Sequence, residues 1–353
     1  MDGMARDPDR AAGNDRGGQP YRPPRAATIY DIAREAGVAA STVSRALTQP
    51  QRVNERTRVH IERVADRLGY RPNPIARALP SGRTHTVALI VSDITNPHFF
   101  GVIRGAERQA STAGFTLILC NTEESADAED RHVERLARGV DGFVLAASRL
   151  PDRRIRDLAA EIPVTLVNRK VGGVASAVID QREGTQQIVE HLAALGHTSI
   201  AFLAGPQASW MASQRWRALS AAARRQEVSA IRLGPFAPTV AGGEAAADAA
   251  LDTEVTAVVA HNDLLAIGVL RRFAQRGANV PGDLSVVGYD DIFGADFCSP
   301  SLTTLAGPLD EAGSTAMEVL LDLITARDST TPRRDVVLPA HLITRESTGP
   351  CPT

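Results

Sequence analysis

Lysine is almost missing from this chain. Lys170 stands alone among 39 basic residues, so nearly all positive charge is guanidinium, a planar fork that suits carboxylate and phosphate. Cysteine is scarce too. Cys120, Cys298 and Cys351 form no CxxC pair and no disulfide framework, which fits a reducing compartment. No run approaches the ~20 apolar residues of a membrane span, and the first residues have no apolar signal-peptide core. The expectation is a soluble, cytoplasmic protein with no membrane partner. Also absent are GxSxG, GxxxxGK[ST], HExxH and a GxGxxG following a strand. That argues against an enzyme, and it leaves no catalytic residues, metal or cofactor to assign. The net charge of −2 excludes a polycation, so charge has to be read by segment.

The 353 residues leave room for two or three domains. Residues 1–27 are rich in Gly, Pro, Asp and Arg, with few apolar residues, and read as a disordered tail. From 28 to 71 the pattern becomes helical. Ile29, Ile32, Ala33 and Ala36 keep helical spacing, with Thr28 and Asp31 placed for a capping box and Gly37 as the stop. Val43, Ala46 and Leu47 form a second apolar face. Ile61, Val64, Ala65 and Leu68 form a third, behind Asn54 as N-cap and before Gly69 as stop.

Helix, glycine turn, helix is the form of a helix-turn-helix, in which the second helix presents its N-terminal residues to the major groove. Those residues are Ala40, Ser41, Thr42, Ser44 and Arg45, and Arg45 alone has the reach for a bidentate contact to guanine. Between 28 and 83, ten arginines face five acids, as a phosphate-binding module requires. The segment 72–84 follows as a linker. Its core, PNPIARALPSG, fences a helix-forming pentad between prolines, and a helix of one turn does not hold itself in water.

From 85 to 348, short apolar runs alternate with helical segments. VALIVS, FTLILCN, GFVLAAS, VTLVN, IAFLAG, AVVAHN and LSVVGYDD read as strands, mostly buried on both faces. Segments 99–113, 127–138, 184–195, 212–227, 243–251, 263–276 and 310–326 read as helices, and 336–343 as a last strand. The alternation implies two Rossmann-like lobes with parallel sheets. Residues 349–353 read as a tail.

Ligands of such lobes sit at strand C-termini. The polar residues there are Asp93, Ser148, Asn168 and Arg169, Asn262 and Asp290, and Arg215 opens the helix after IAFLAGP. A buried Arg215 or Asp290 needs a partner. A polyhydroxylated ligand supplies one, accepting from guanidinium and donating to carboxylate. Phe99, Phe100, Phe236 and Phe293 are candidates to cover apolar ligand faces. Trp210 and Trp216 flank Arg215, and Trp210 reads either as a pocket residue or as packing.

The chain resembles the lactose-repressor (LacI/GalR) family of bacterial transcription regulators. The likeness rests on TIYDIAxxAGVxxSTVSR, VNxxTR, LGYRPN and ARxL, and continues through NPxFF, VDG, GHxxIAFLAGP, NDLLAIG, SVVGYDD and SPSLTT. Together these span residues 28 to about 348. The resemblance implies an all-α helix-turn-helix domain joined to a two-lobed, periplasmic-binding-protein-like α/β core. It implies a repressor of palindromic double-stranded operator DNA, a homodimer whose DNA affinity is set by a small effector. A sugar is the expected effector; a nucleoside or nucleobase is the alternative. A solute receptor of the transport type shares the core but not the basic N-terminal module. Thr28, Tyr30, Thr42, Ser44, Asn54, Thr57 and Asn73 match phosphate-contacting positions of the family. Ala40, Ser41 and Arg45 match base-reading ones. Asn73, Ala76 and Leu79 match a hinge that folds on DNA, with Leu79 as the wedge in the minor groove. Asn168, Arg215, Asn262 and Asp290 match effector-contacting positions of the family, and Phe236 lies near an aromatic one. With Asp93, Ser148 and Phe100, added from their positions in the sequence, they form the expected effector set. The chain departs from the pattern at Ala39, where a capping serine is common, at Pro80 after the wedge, and at Gly307, where glutamine is common.

Overall fold

The computed structural model describes residues 27–70, 83–326 and 334–352. These fall into two compact units, one on each side of the segment 71–82. The hinge positions Asn73, Ala76, Leu79 and Pro80, and most of the N-terminal tail, lie outside the described residues.

The first unit holds α1 (Ile29–Ala36), α2 (Ala40–Thr48), a 3-10 turn (Pro50–Arg52) and α3 (Glu55–Arg67). The apolar faces read from the spacing meet in one small core, with Ile32, Val43, Ala46, Ile61 and Val64 buried. Helices this short depend on that packing and on their caps. Thr28 and Asp31 form a full capping box on α1, and Gly37 ends that helix in the left-handed region at φ 66°. The Asn54 side chain accepts from the Arg56 amide at the start of α3. Ala39 precedes α2 with no side-chain cap.

The second unit is built on two six-stranded sheets, ordered β11-β5-β4-β3-β1-β2 and β12-β10-β9-β8-β6-β7. In the first lobe, β1 (Thr86–Val91), β2 (Thr116–Asn121), β3 (Phe143–Ala146), β4 (Val164–Val167), β5 (Ala175–Ile179) and β11 (Asp335–Leu338) run parallel. Alternate side chains serve opposite faces. Val87, Leu89 and Val91 pack under α4 (His98–Thr112) and α11 (Leu309–Thr325). Ala88 and Ile90 pack against α5 (Ala126–Leu136) and α6 (Asp152–Glu161). Both faces being covered explains the unbroken apolar runs.

The second lobe repeats the plan with β6 (Ser199–Leu203), β7 (Ser229–Leu233), β8 (Ala257–Ala260), β9 (Ser285–Tyr289) and β10 (Thr303–Ala306). Helices α7 (Gln181–Ala194) and α8 (Trp210–Arg225) cover one face. Helices α9 (Gly242–Leu251) and α10 (Asp263–Arg276) cover the other. The antiparallel β12 (His341–Ile343) closes the edge beside β10.

The run 336–343 is therefore two strands, one in each lobe, and not one. Pro339 explains the break, since it has no N–H to give to a ladder. Among the described residues the chain passes between the lobes three times, after β5, after β10 and after β11. The Asp180 amide donates to Leu338 O at 2.8 Å, tying the first crossing to the third. Residues read as a C-terminal tail are held to the second lobe, where the Cys351 amide donates to Leu195 O and Gly349 O meets His197.

Candidate DNA-reading helix and effector cleft

In the first unit, α2 presents Ser41 and Arg45 to solvent, while Ala40, Thr42 and Ser44 are partly covered. Arg45 has no ion-pair partner among the described residues, whereas Arg34, Arg58 and Arg67 are engaged with Asp31, Glu62 and Glu35. The Arg45 guanidinium is thus exposed and open to an external acceptor. Tyr30 is 69% exposed, Asn54 is exposed, and Thr57 is half-buried.

The cleft of the second unit lies where strand C-termini of the two sheets converge, and its centre is Arg215. The guanidinium donates through Nε to Gln181 Oε1 at 2.9 Å, through Nη1 to His261 O, and through Nη2 to Asp290 Oδ1 at 2.6 Å. It also lies 4.3 Å over the centre of the Tyr289 ring, whose hydroxyl is 2.9 Å from that of Thr185. From the other lobe, His98 Nδ1 comes to 3.3 Å of Asp290 Oδ1. The Asn168 amide donates to His98 Nε2 at 3.3 Å, which places the ring proton on Nδ1, facing the carboxylate. Asn262 caps α10 through Oδ1 and donates through Nδ2 to Pro238 O. Asp93 accepts from Thr95 at the mouth.

Burial and charge set the electrostatics. Burial, the largest single influence, would raise the Asp290 carboxyl, but Arg215 and His98 together outweigh it and hold it below the ordinary carboxylate range. Burial, helped by Arg215, drops the His261 imidazole to about 3, and burial raises the Tyr289 phenol to about 12. Asp263, just behind the cleft, is raised well above a normal carboxyl by burial and then by Asp290. Asn168 and Asp290 have φ of 53° and 107°. Strain of that kind at strand ends collects at functional sites. Gly205 lets His261 lie flat against the chain, because a Cβ there would sit 2.2 Å from its Cδ2.

Of the eight residues expected for the effector, Asp93, Asn168, Arg215, Asn262 and Asp290 come together on the cleft wall. Three do not. Phe100 is 50% exposed, because α4 begins at His98 and its inward turn presents His98 and Phe99. Ser148 is buried beneath the wall, its Oγ accepting from the Leu150 amide and its carbonyl accepting from Arg169. Phe236 packs into the second-lobe core beside α9 and α10. Phe293 is 79% exposed and stacks edge-on with Phe297 instead of covering the cleft. Sequence reasoning missed His98, His261, Met211 and the pair Arg149–Glu124, all on the wall. Only His261 directly follows a strand; His98 and Met211 lie in the first turns of helices, and Glu124 and Arg149 in the loops after β2 and β3, so strand-end position did not single them out. Trp210 faces a different groove.

The space left in the cleft is about 40 Å³, near the ~30 Å³ share of one water molecule. The two internal pairs, Arg215–Asp290 and Arg149–Glu124, fill the rest.

A basic helix-turn-helix unit joined to a two-lobed core with a polar cleft defines a DNA-binding transcriptional regulator with an effector-binding domain. Residues 28–73 match the model of bacterial regulatory proteins of the lacI family, and residues 189–348 match that of a periplasmic binding protein-like domain. The HTH-type transcriptional repressor CytR of Escherichia coli (strain K12) is 33% identical over 337 residues, 93% of this chain and 98% of its own. The crystal structure of the lac repressor dimer bound to operator and the anti-inducer ONPF aligns with a TM-score of 0.82 at 27% identity, covering 92% of this chain and 100% of that one. The complex of the transcriptional regulator CelR with cellobiose aligns with a TM-score of 0.68 at 31% identity, covering 91% and 99%. The chain belongs to the lacI family of bacterial regulatory proteins, and it is a DNA-binding transcriptional repressor. No helix among the described residues is long and apolar enough to cross a membrane.

Proposed function

We propose that this repressor binds a palindromic operator as a homodimer and that a neutral sugar in the cleft controls its operator affinity, with no chemical turnover. The dimer follows from reading one half-site per helix-turn-helix. The observation that carries the ligand class is the chemistry of the wall. Asp290 and Arg215 offer a carboxylate and a forked donor, and Asn168 and Asn262 bring amide groups beside them. Vicinal hydroxyls both donate and accept, so they satisfy such a set without a charge of their own. The wall's own charges are paired internally, which favours a neutral ligand over an anion. The CelR structure, similar over most of its length, carries cellobiose.

A sugar is far larger than 40 Å³, so its entry parts the lobes and exchanges the His98–Asp290 contact for contacts to ligand. That change of lobe angle is the signal passed to DNA, its sign set by which lobe angle binds the operator better. The test is the melting temperature of the purified protein against sugars, nucleosides and nucleobases, because a ligand bound only by the native state raises it. A shift with a sugar supports the reading. A shift with nucleosides or nucleobases alone replaces the ligand class and keeps the repressor.

A further inference from the structure

A second groove, of about 580 Å³, opens on the flank of the core where the first crossing leaves β5. Both lobes wall it. Lys170 and Val337 come from the first lobe, Trp210, Arg217 and Arg225 from α8, and Arg182 from the start of α7. Four cationic side chains line it against one carboxylate, Asp180. Asp180 is already used, capping α7 by accepting from the Arg182 and Glu183 amides. The side chains of Lys170, Arg182 and Arg217 have no hydrogen-bond or ion-pair partner among the described residues, and Arg225 meets only the neutral Gln186. This is the reverse of the cleft, where every guanidinium on the wall has its carboxylate. Val337 is 52% exposed on the same wall and Trp210 is half-buried there, so the groove also offers an apolar and aromatic surface.

We propose that this groove binds a phosphorylated small molecule with a flat or apolar portion, of the nucleoside monophosphate kind. The phosphate takes the arginines, which bond it in a fork, and the ring lies against Trp210, where a guanidinium and an indole face both favour it. The groove is concave and the size of a small-ligand site, which suits a metabolite and not a nucleic-acid strand. Its occupant touches both lobes and therefore senses the angle between them, independently of the sugar cleft.

Trp210 is the reporter. The chain has two tryptophans, and Trp216 stacks on Phe202, so Trp216→Phe leaves a single indole in the groove. This variant is titrated with AMP, adenosine, inorganic phosphate and sulfate at constant ionic strength. The expected result is saturable quenching by AMP, with adenosine weaker by about tenfold or more, as loss of charge-assisted hydrogen bonds implies. Adding Arg182→Glu with Arg217→Glu, both exposed, weakens AMP by about tenfold or more. Equal response to AMP and adenosine, equal response to sulfate, or indifference to the arginine changes overturns the proposal. Sugar binding measured on the same proteins reports the cleft separately.

Discussion

His98 and Asp290 meet across the cleft, Nδ1 to Oδ1 at 3.3 Å, one from each lobe and both nearly inaccessible to solvent. Asp290 is at the same time the 2.6 Å partner of Arg215. One carboxylate therefore balances the buried guanidinium within its own lobe and touches the lobe opposite. Any ligand that reaches it changes both relationships.

Asp290→Ala is expected to abolish the effector response while operator binding persists. It leaves Arg215 buried without a counter-charge, so a loss of about 3–5 kcal/mol of core stability accompanies it. Asp290→Asn is the milder companion. Calorimetric titration of ligand and a gel-shift titration of operator separate the two effects, and a normal ligand response in both variants sinks the cleft assignment.

Arg45→Ala is expected to relax preference at one base pair of each half-site by about 1–3 kcal/mol. Affinities for a set of operators varied one position at a time read this out. A uniform weakening over all sequences assigns Arg45 to phosphate instead.

Ala39 sits in the extended conformation of an N-cap, at φ −65° and ψ 145°, without a side chain to cap α2. Ala39→Ser is expected to stabilise the first unit by about 1 kcal/mol, and Thr28→Ala, which breaks the capping box, to cost about the same. Hydrogen-exchange protection of the α1 and α2 amides in the whole protein measures both.

His261 binds its proton far less readily folded than unfolded, at about 3 against 6.5. The unfolded chain therefore takes up the extra proton between those values, and stability falls as pH drops from 6.5 towards 3. At pH 5 this contributes a loss of about 2 kcal/mol. His261→Gln removes that titration, so its stability, measured by urea unfolding relative to wild type, improves between pH 7 and 5. A parallel pair of curves refutes the assignment.

The lobes were legible in the sequence because a parallel sheet covered on both faces demands unbroken apolar runs, and β1, β3, β4, β6, β8 and β9 have them. β5 was missed because ASAVI is short, with two alanines and a serine among its five residues, and β7 because its edge position leaves it half-exposed. α6 was missed because only Ile155 and Leu158 turn inward. In the cleft, amides and carboxylates at strand ends were legible from position alone. His98 and His261 were not, since their place on the wall depends on which strand ends meet across two lobes, and on Gly205 leaving room for a ring. Phe100 misled because adjacent helical residues point about 100° apart, and the register of α4 favours Phe99.

Gly307, where a glutamine is common in the family, lies in the second crossing directly over Ile179 of the first. A Cβ there would come within 2.7 Å of the Ile179 Cδ1. With Asp180 bonded to Leu338, the three crossings form a strap of three plies pressed together. Three plies abreast bend in one direction far more easily than they twist or slide. A ligand that parts the lobes is therefore expected to bend all three plies together, at the cleft or at the groove alike.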